Sequence, residues 1–512
     1  MKDVIFGDDR EKNKNFYEEV LDFVYNKKSN EWVKIQDKKV VQTFKLAVKS
    51  VPAYSDFIKK AKINPLNINS FNNFQTVPSV NKKNYLRAYK WEDLCKNKYL
   101  FSEPLIMTST SGSTGEPFYF PRTNYIDLQS SVYHQLFIKS SKIPKNTSTL
   151  VIDCFGMGVW IGGIITYQAF KHISERGYPM TIITPGISKR EIFQAIRNLG
   201  PKYNQIILCG YPPFMKDVVD EAKDNGVVWK NYNIKMIFAA ESFSETFREY
   251  IANKVGIKNI YRDTMNIYGS ADLGTMAEET PMSILVRRLA LDNPNMYLKL
   301  FGQAKRLPTL AQYIPCFNSF DSKNGSLYCT GDNALPLVRY EIGDNGGVLT
   351  FDEVSNIFME EGFDLKKEMK KIGIQDTLTE LPFVYVFERS DFSASFYGAI
   401  MYPEYIKKGL SENSLSDYIT GKFTMYTKND EKENQYLEIN IEMKPNVKST
   451  KIISSQVLKS IHDALLFQST EYKKLHETLG DRVYPKLVHW PNGHPTHFLS
   501  GAKQKWTKND TK

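Results

Sequence analysis

Cysteine is scarce. Cys95, Cys154, Cys209, Cys316 and Cys329 are the five in a chain of 512 residues, and none is spaced from another as in a zinc site or a disulfide framework. Reduced thiols and a cytoplasmic location are expected from this. Long apolar runs are also missing. The one extended stretch without charge, Cys154 to Phe170, is near the lower limit of a membrane span and contains Gly156, Gly158, Gly162 and Gly163. It reads instead as a buried strand, a glycine turn and a helix, so no membrane span is expected. The amino-terminal MKDVIFGDDREKNKNF carries charges where a signal peptide needs an apolar segment. No internal repeat or low-complexity tract is visible. The formal charge of +10 is spread along the chain, without basic runs interleaved with aromatics, so no nucleic-acid partner is expected.

What remains is an ordinary globular composition, 42% hydrophobic, 13% aromatic and 24% charged. At this length two or more domains are expected. Residues 1 to about 100 show apolar residues three and four apart, as in FYEEVLDFVYNKKSNEW, and read as a helical lead-in. After Thr110 the pattern becomes strand, loop and helix: TLVIDCFGMGVW into IGGIITYQAFKHI, NQIILCGYPP into FMKDVVDEAKD, and IKMIFAAESFS into ETFREYIANKVG. Strands alternating with helices imply a parallel sheet covered on both faces. From about 325 the texture is β-rich, punctuated by Gly-Asp and Asn-Gly turn signals, and the last 120 residues or so read as a smaller α+β unit.

The strongest chemical signal runs from Thr108 to Pro117, TSTSGSTGEP, with six hydroxyl residues and two glycines in ten positions. Glycine lets backbone N–H groups approach phosphate oxygens, and the hydroxyls donate further hydrogen bonds; a plain Ser/Thr/Gly surface loop is the alternative. The Gly-Lys-Ser/Thr ending of a kinase-type phosphate loop is absent. Ala239-Ala240-Glu241 closes an apolar strand where small residues would admit a planar base, or where Ser242 or Ser244 simply caps the next helix. Tyr268-Gly269-Ser270-Ala271-Asp272 is a loop with an aromatic ring and a carboxylate, or an ordinary turn. In Leu335-Pro336-Leu337-Val338-Arg339-Tyr340-Glu341-Ile342-Gly343-Asp344, the aspartate suits two vicinal hydroxyls, or ends a strand in a turn. Phe387-Glu388-Arg389-Ser390-Asp391 precedes Met401-Tyr402-Pro403-Glu404, and Ser500-Gly501-Ala502-Lys503-Gln504-Lys505 lies near the carboxyl end.

Taken in order, these segments resemble the signature motifs of adenylate-forming enzymes. The segment VPAYSDFIKKAKINPLNINSFNNFQTVPSVNKKNYL resembles the lead-in of the phenylacetate-CoA ligase branch, which includes capsule-cluster proteins. The resemblance implies an α/β fold. A large amino-terminal adenylation domain, residues 1–388 with 1–100 as its lead-in, would carry parallel-rich sheets flanked by helices. Residues 389–512 would form a smaller, mobile α+β lid.

By resemblance, Ser111, Gly112, Ser113, Thr114 and Gly115 cradle the phosphates of ATP. Phe118 stands where the family usually has a lysine. Ala240 and Glu241 flank the adenine, Tyr268, Gly269 and Ser270 carry the ring that stacks on it, and Asp272 holds Mg²⁺ in place of the family's glutamate. Asp344 takes the ribose and Arg389 the ribose or a phosphate, with Glu388 replacing the hinge glycine. Lys503, or else Lys505, neutralises charge on the reacting carboxylate and α-phosphate. Catalysis is thus expected of Lys503 and Asp272. The implied reaction converts a carboxylic acid and ATP to an acyl-adenylate and pyrophosphate, followed by transfer to coenzyme A. Transfer to an amine, carrier thiol or hydroxyl is the alternative, as is a nucleotide-binding relative without turnover. An acid pocket is expected near Tyr211-Pro212-Pro213-Phe214 and the Phe155 to Trp160 loop, where packing alone is the competing explanation.

Overall fold

The computed structural model describes residues 16–96, 104–109, 117–158, 161–302, 308–389, 394–494 and 497–498. They fall into two compact units. The first takes in the described residues up to Thr108, then Tyr119–Gly210 and Val218–Glu388; the second is Arg389 onward with Tyr211–Asp217 and Ser109, Pro117 and Phe118.

Strands β1 (Ile106–Ser109) and β2 (Tyr119–Arg122) form a two-stranded sheet. Next come β3 (Thr149–Asp153), β4 (Met180–Ile183), β5 (Gln205–Gly210), β6 (Ile234–Ala239) and β7 (Thr264–Ser270). These five pair in parallel, in the spatial order β7-β6-β5-β3-β4. β8 (Gly274–Glu278), β9 (Thr309–Gln312), β10 (Asn318–Lys323), β11 (Ser326–Gly331), β12 (Leu337–Leu349) and β13 (Phe383–Arg389) extend the sheet to eleven strands in the order β10-β11-β12-β13-β9-β8-β7. Pairing is antiparallel at β7/β8, β8/β9, β9/β13, β10/β11 and β11/β12.

The central strands are near-continuous apolar runs buried throughout, as in Gln205–Gly210 and Ile234–Phe238, which is what a sheet covered on both faces demands. The three expected strand-to-helix units form, leading into helices Ile161–Glu175, Pro212–Glu221 and Glu245–Val255. β4, with its partly exposed residues, carries too weak a pattern to be read from the sequence. The lead-in begins with helices Phe16–Asn26, Ser29–Ser50 and Pro52–Lys60. Val20, Leu21, Val24 and Trp32 from it pack with Val132, Tyr133 and Leu136 of helix Asn124–Ser140. It therefore shares the core of the first unit.

β12 departs from the expected strand and turn. It runs unbroken through Gly343, Asp344 and the Asn345-Gly346-Gly347 turn signal. Gly343 has φ +91°, and register shifts interrupt the pairing of β11 with β12, so the strand bends without ending.

In the second unit β14 (Ala394–Phe396) and β15 (Ala399–Met401) make a hairpin, and β16 (Ile419–Asn429), β17 (Gln435–Met443) and β18 (Lys486–Trp490) make a three-stranded sheet. β17 and β18 are parallel, joined by a crossover through helices Lys451–Gln468 and Thr470–Leu479. Phe423, Met425, Leu437, Ile439, Ile441, Val457, Ile461 and Leu465 are buried. No helix among the described residues is long and apolar enough to cross a membrane, and all five cysteines are buried and none forms a disulfide.

Candidate nucleotide site

Parallel α/β sheets bind ligands beyond the carboxyl ends of their strands. β6 delivers Ala239 and then Ala240-Glu241 to that edge, and β7 delivers Tyr268-Gly269-Ser270. β12 brings the third motif to them. The Tyr268 hydroxyl donates to Asp344 Oδ2 at 2.6 Å, joining residues that are 76 apart in sequence. The Tyr268 ring is stacked on Phe320 at 6.1 Å with an interplanar angle of 26°, and Tyr313 packs edge-on against Phe320 at 5.0 Å. The ring plane is fixed from behind by aromatic packing.

A second phenol from β12 does the same for the other carboxylate. The Tyr340 hydroxyl donates to Asp272 Oδ2 at 2.6 Å. Asp272 sits in the β7–β8 turn, which closes at Gly274 with φ +77°; a Cβ there would lie 2.7 Å from Ile126 Cγ2. Gly269 is equally constrained, since its Cβ would meet the Gly274 carbonyl at 2.8 Å. Gly269 is required by close approach of the two strands, and Gly274 by its left-handed backbone and the Ile126 side chain beside it. Thr108 Oγ1 donates to the Ala271 carbonyl at 3.3 Å, so the residue that opens the hydroxyl-rich segment lies beside the turn that carries Asp272. Ser111, Gly112, Ser113, Thr114 and Gly115 themselves lie outside the described residues, as does Lys503. Arg389 ends β13, and its side chain is likewise outside them.

At the β6 end the capping reading of Ala239-Ala240-Glu241 is realised. Ser244 caps helix Glu245–Val255, its Oγ accepting from the Phe247 N–H at 3.0 Å. Ala240 holds φ +74°, a left-handed conformation costly for a residue with a Cβ. The loop is held from two sides. The Glu241 carbonyl accepts from Asn266 Nδ2 at 3.0 Å, and the Phe243 carbonyl accepts from Arg287. Arg287 belongs to a buried network: Arg248 bonds Glu279 through two contacts of 2.8 Å and Glu245 at 3.0 Å, while Arg287 bonds Glu245 at 2.7 Å. Burial alone would raise the Glu245 carboxyl, but the Arg248 and Arg287 guanidinium groups more than offset it and hold it below its ordinary value.

Asn266 escaped the sequence reading. It lies two positions before Tyr268 on β7, so strand alternation puts both on one face, and that spacing was the available signal. Its amide is 3% exposed and its Oδ1 has no hydrogen-bond partner, a cost that a buried acceptor bears only when something else satisfies it. Arg339 proves to be a structural peg. It is buried at φ +47°, donates to the Gln75 and Val77 carbonyls and pairs with Asp321 at 3.2 Å, tying the lead-in to β12. Burial raises the Asp321 carboxyl above its ordinary value even beside that guanidinium. Of the expected acid pocket, Phe155 and Phe214 are buried in packing, and Val159 and Trp160 lie outside the described residues.

Asp272 has one carboxylate oxygen open to a cation. Its Oδ2 is taken by Tyr340 and its Oδ1 bears no hydrogen bond from the described residues. Among the described residues no three His, Cys, Asp or Glu side chains are grouped to hold a metal. A magnesium ion that takes most of its ligands from phosphates and water needs only one or two protein carboxylates, and Asp272 fits that arrangement.

By sequence, neither a protein-family model nor a curated protein matches the chain. By structure, the chain is similar to 2-hydroxyisobutyryl-CoA ligase in complex with 2-HIB-AMP and CoA in the thioesterification state. The TM-score is 0.63 at 15% identity, covering 96% of this chain and 92% of that one. The same ligase in the postadenylation state with 2-HIB-AMP gives a TM-score of 0.50 at 13% identity, over 96% and 91% of the two chains. With R3-HIB-AMP it gives 0.50 at 14% identity, over 96% and 92%. At such identities the likeness is one of architecture: the chain shares the fold of that ligase, with a large helix-flanked sheet and a carboxyl-terminal unit.

Proposed function

We propose that this protein activates a carboxylic acid with ATP, forming an acyl-adenylate and pyrophosphate, and passes the acyl group to coenzyme A. The observation that carries the reading is the paired phenol–carboxylate geometry, Tyr268 on Asp344 and Tyr340 on Asp272 at 2.6 Å each. It draws two sequence motifs together at one edge of a sheet whose fold is that of a ligase solved with 2-HIB-AMP and CoA. Packing alone does not ask for two buried carboxylates, each 8% exposed, at that edge.

In this reading Asp344 accepts the vicinal ribose hydroxyls; a carboxylate has about four lone-pair positions, and Tyr268 uses one. Asn266 Oδ1 accepts from the adenine amino group, which relieves its missing partner. Tyr268 supplies the ring against the base, backed by Phe320. Ser111, Gly112, Ser113, Thr114 and Gly115 cradle the phosphates through backbone N–H groups. Asp272 would hold Mg²⁺, whose charge neutralises the phosphates as pyrophosphate leaves. Lys503 is assigned the charge that develops on the carboxylate and α-phosphate, an electrostatic contribution of about 3 kcal/mol to the barrier. Residues 1–388 are the adenylating domain and 389–512 the lid that carries Arg389 and Lys503.

The branch closest to phenylacetate-CoA ligases is proposed from the lead-in sequence and from Phe118 in place of the loop lysine. A cytoplasmic location accords with five buried thiols, none of them in a disulfide. The test is stoichiometry over a panel of aryl and fatty acids. One coenzyme A thiol should be consumed and one AMP formed for each ATP. AMP formation that is the same with and without coenzyme A would refute it as acceptor.

A further inference from the structure

At the end of the sheet opposite the nucleotide motifs, a small cavity lies between helices Phe16–Asn26 and Asn124–Ser140, the start of β7, the end of β8 and the segment 377–381. Its most unusual wall is Glu278, the last residue of β8, 2% exposed. Glu278 Oε2 has no hydrogen-bond partner, and no described residue donates to Oε1. An ionised carboxylate in such a place is stable only with a counter-charge.

The neighbouring charges do not provide one. Glu279, also on the wall, is already matched by Arg248 and Arg287. Arg262, the one cation on the wall, is matched by Asp376 at 2.5 Å, and its remaining donors go to the Ser140 and Gly373 carbonyls. When Glu278 is ionised, one negative charge is left over. Three wall hydroxyls are turned the wrong way to donate to it. Thr264 Oγ1 donates to the Ile260 carbonyl, Thr280 Oγ1 to Gln312 Oε1 and Thr377 Oγ1 to the Ile374 carbonyl. The wall thus sets hydroxyl oxygens whose protons point away around the carboxylate, with Thr264 Oγ1 also accepting from Arg248 and Thr280 Oγ1 from the Ser283 N–H. The space suits an occupant about the size of one water molecule.

We propose that this cavity is a binding site for one alkali-metal cation, held by Glu278 and surrounding hydroxyl oxygens. A single positive charge balances a single carboxylate, whereas a divalent ion would leave a buried charge uncompensated. Burial, with no charged neighbour opposing it, pushes the Glu278 carboxyl well above its ordinary value, so a cation at this site competes with a proton for the carboxylate. The bound cation would cross-link segments from residue 25 to residue 381 of the first unit, and a ligand that binds only the folded state raises stability by mass action. This site is independent of the nucleotide reading.

The test is thermal unfolding of the full chain in potassium, sodium, lithium and choline chloride at one ionic strength. Wild type should unfold about 4 °C or more higher in potassium or sodium than in choline, and whichever is higher names the ion. Glu278→Gln should lose that difference. Equal midpoints of wild type in all four salts, or an unchanged cation response in Glu278→Gln, would overturn the proposal. Should the variant fail to fold, wild-type crystals soaked in thallium(I) decide: an anomalous peak beside Glu278 supports the site, and water alone there refutes it.

Discussion

Tyr340 donates its hydroxyl to Asp272, and a hydrogen bond to a charged group contributes about 1.5–3 kcal/mol. Tyr340→Phe keeps the buried ring and removes that bond. The expected result is a loss of about 10- to 100-fold in acid-dependent pyrophosphate exchange, partly restored by raising Mg²⁺, with the urea midpoint nearly unchanged. A loss of stability with normal exchange would make Tyr340 a core residue only. At this scale the motif residues with unusual chemistry, Tyr268, Asp272 and Asp344, were legible because type and order both carry information. Asn266 was not, since an asparagine in an apolar strand has no period or motif of its own; its role depends on the Glu241 carbonyl 25 residues away. Arg339 carries the same lesson: its partners at Gln75 and Val77 lie more than 260 positions off.

Among the elements, β12 is the clearest case where local signals mislead. Asn345-Gly346-Gly347 has turn chemistry, yet the strand continues because β12 must pass close to β13. A Cβ on Gly346 would fall within the van der Waals radius of the Tyr385 carbonyl oxygen, and one on Gly347 would enter the Tyr385 ring. The glycines are there for approach, not for a turn. Gly346→Ala should lower stability by about 3 kcal/mol, seen as a lower urea midpoint; an unchanged midpoint would show that the strands separate freely. The helices and buried central strands were legible from periodicity, whereas β4 lacked a pattern to read.

The hairpin β14–β15 and helix Thr470–Leu479 offer a pH test. Glu471 Oε2 accepts from the Ile400 N–H at 2.9 Å, yet burial outweighs that bond and pushes its carboxyl up to about 7. The folded protein therefore binds a proton that the unfolded chain, with its ordinary carboxyl, releases near pH 4.5. This contribution to stability is complete below about 4.5 and is lost as pH rises through about 7. Glu471→Gln should flatten the pH dependence of unfolding in that window; an unaltered slope would show that Glu471 titrates normally.

Across the whole molecule, the alternation of strand and helix made the α/β class legible, and motif order added a resemblance whose implied architecture, a large helix-flanked sheet with a smaller carboxyl-terminal unit, is the one observed. How the lead-in packs was not legible, because amphipathic helices advertise a buried face without naming what buries it. Here that partner is helix Asn124–Ser140. The account's central claim is that Asp344 and its neighbours hold ATP for attack by a carboxylate. It is tested most directly by acid-dependent exchange of pyrophosphate into ATP in wild type, Asp344→Ala and Lys503→Ala over aryl, fatty and amino acids. The account predicts exchange with at least one acid class in wild type and a loss of about 100-fold or more in both variants; exchange undiminished in Asp344→Ala, or none in wild type with any acid despite ATP binding, would contradict it.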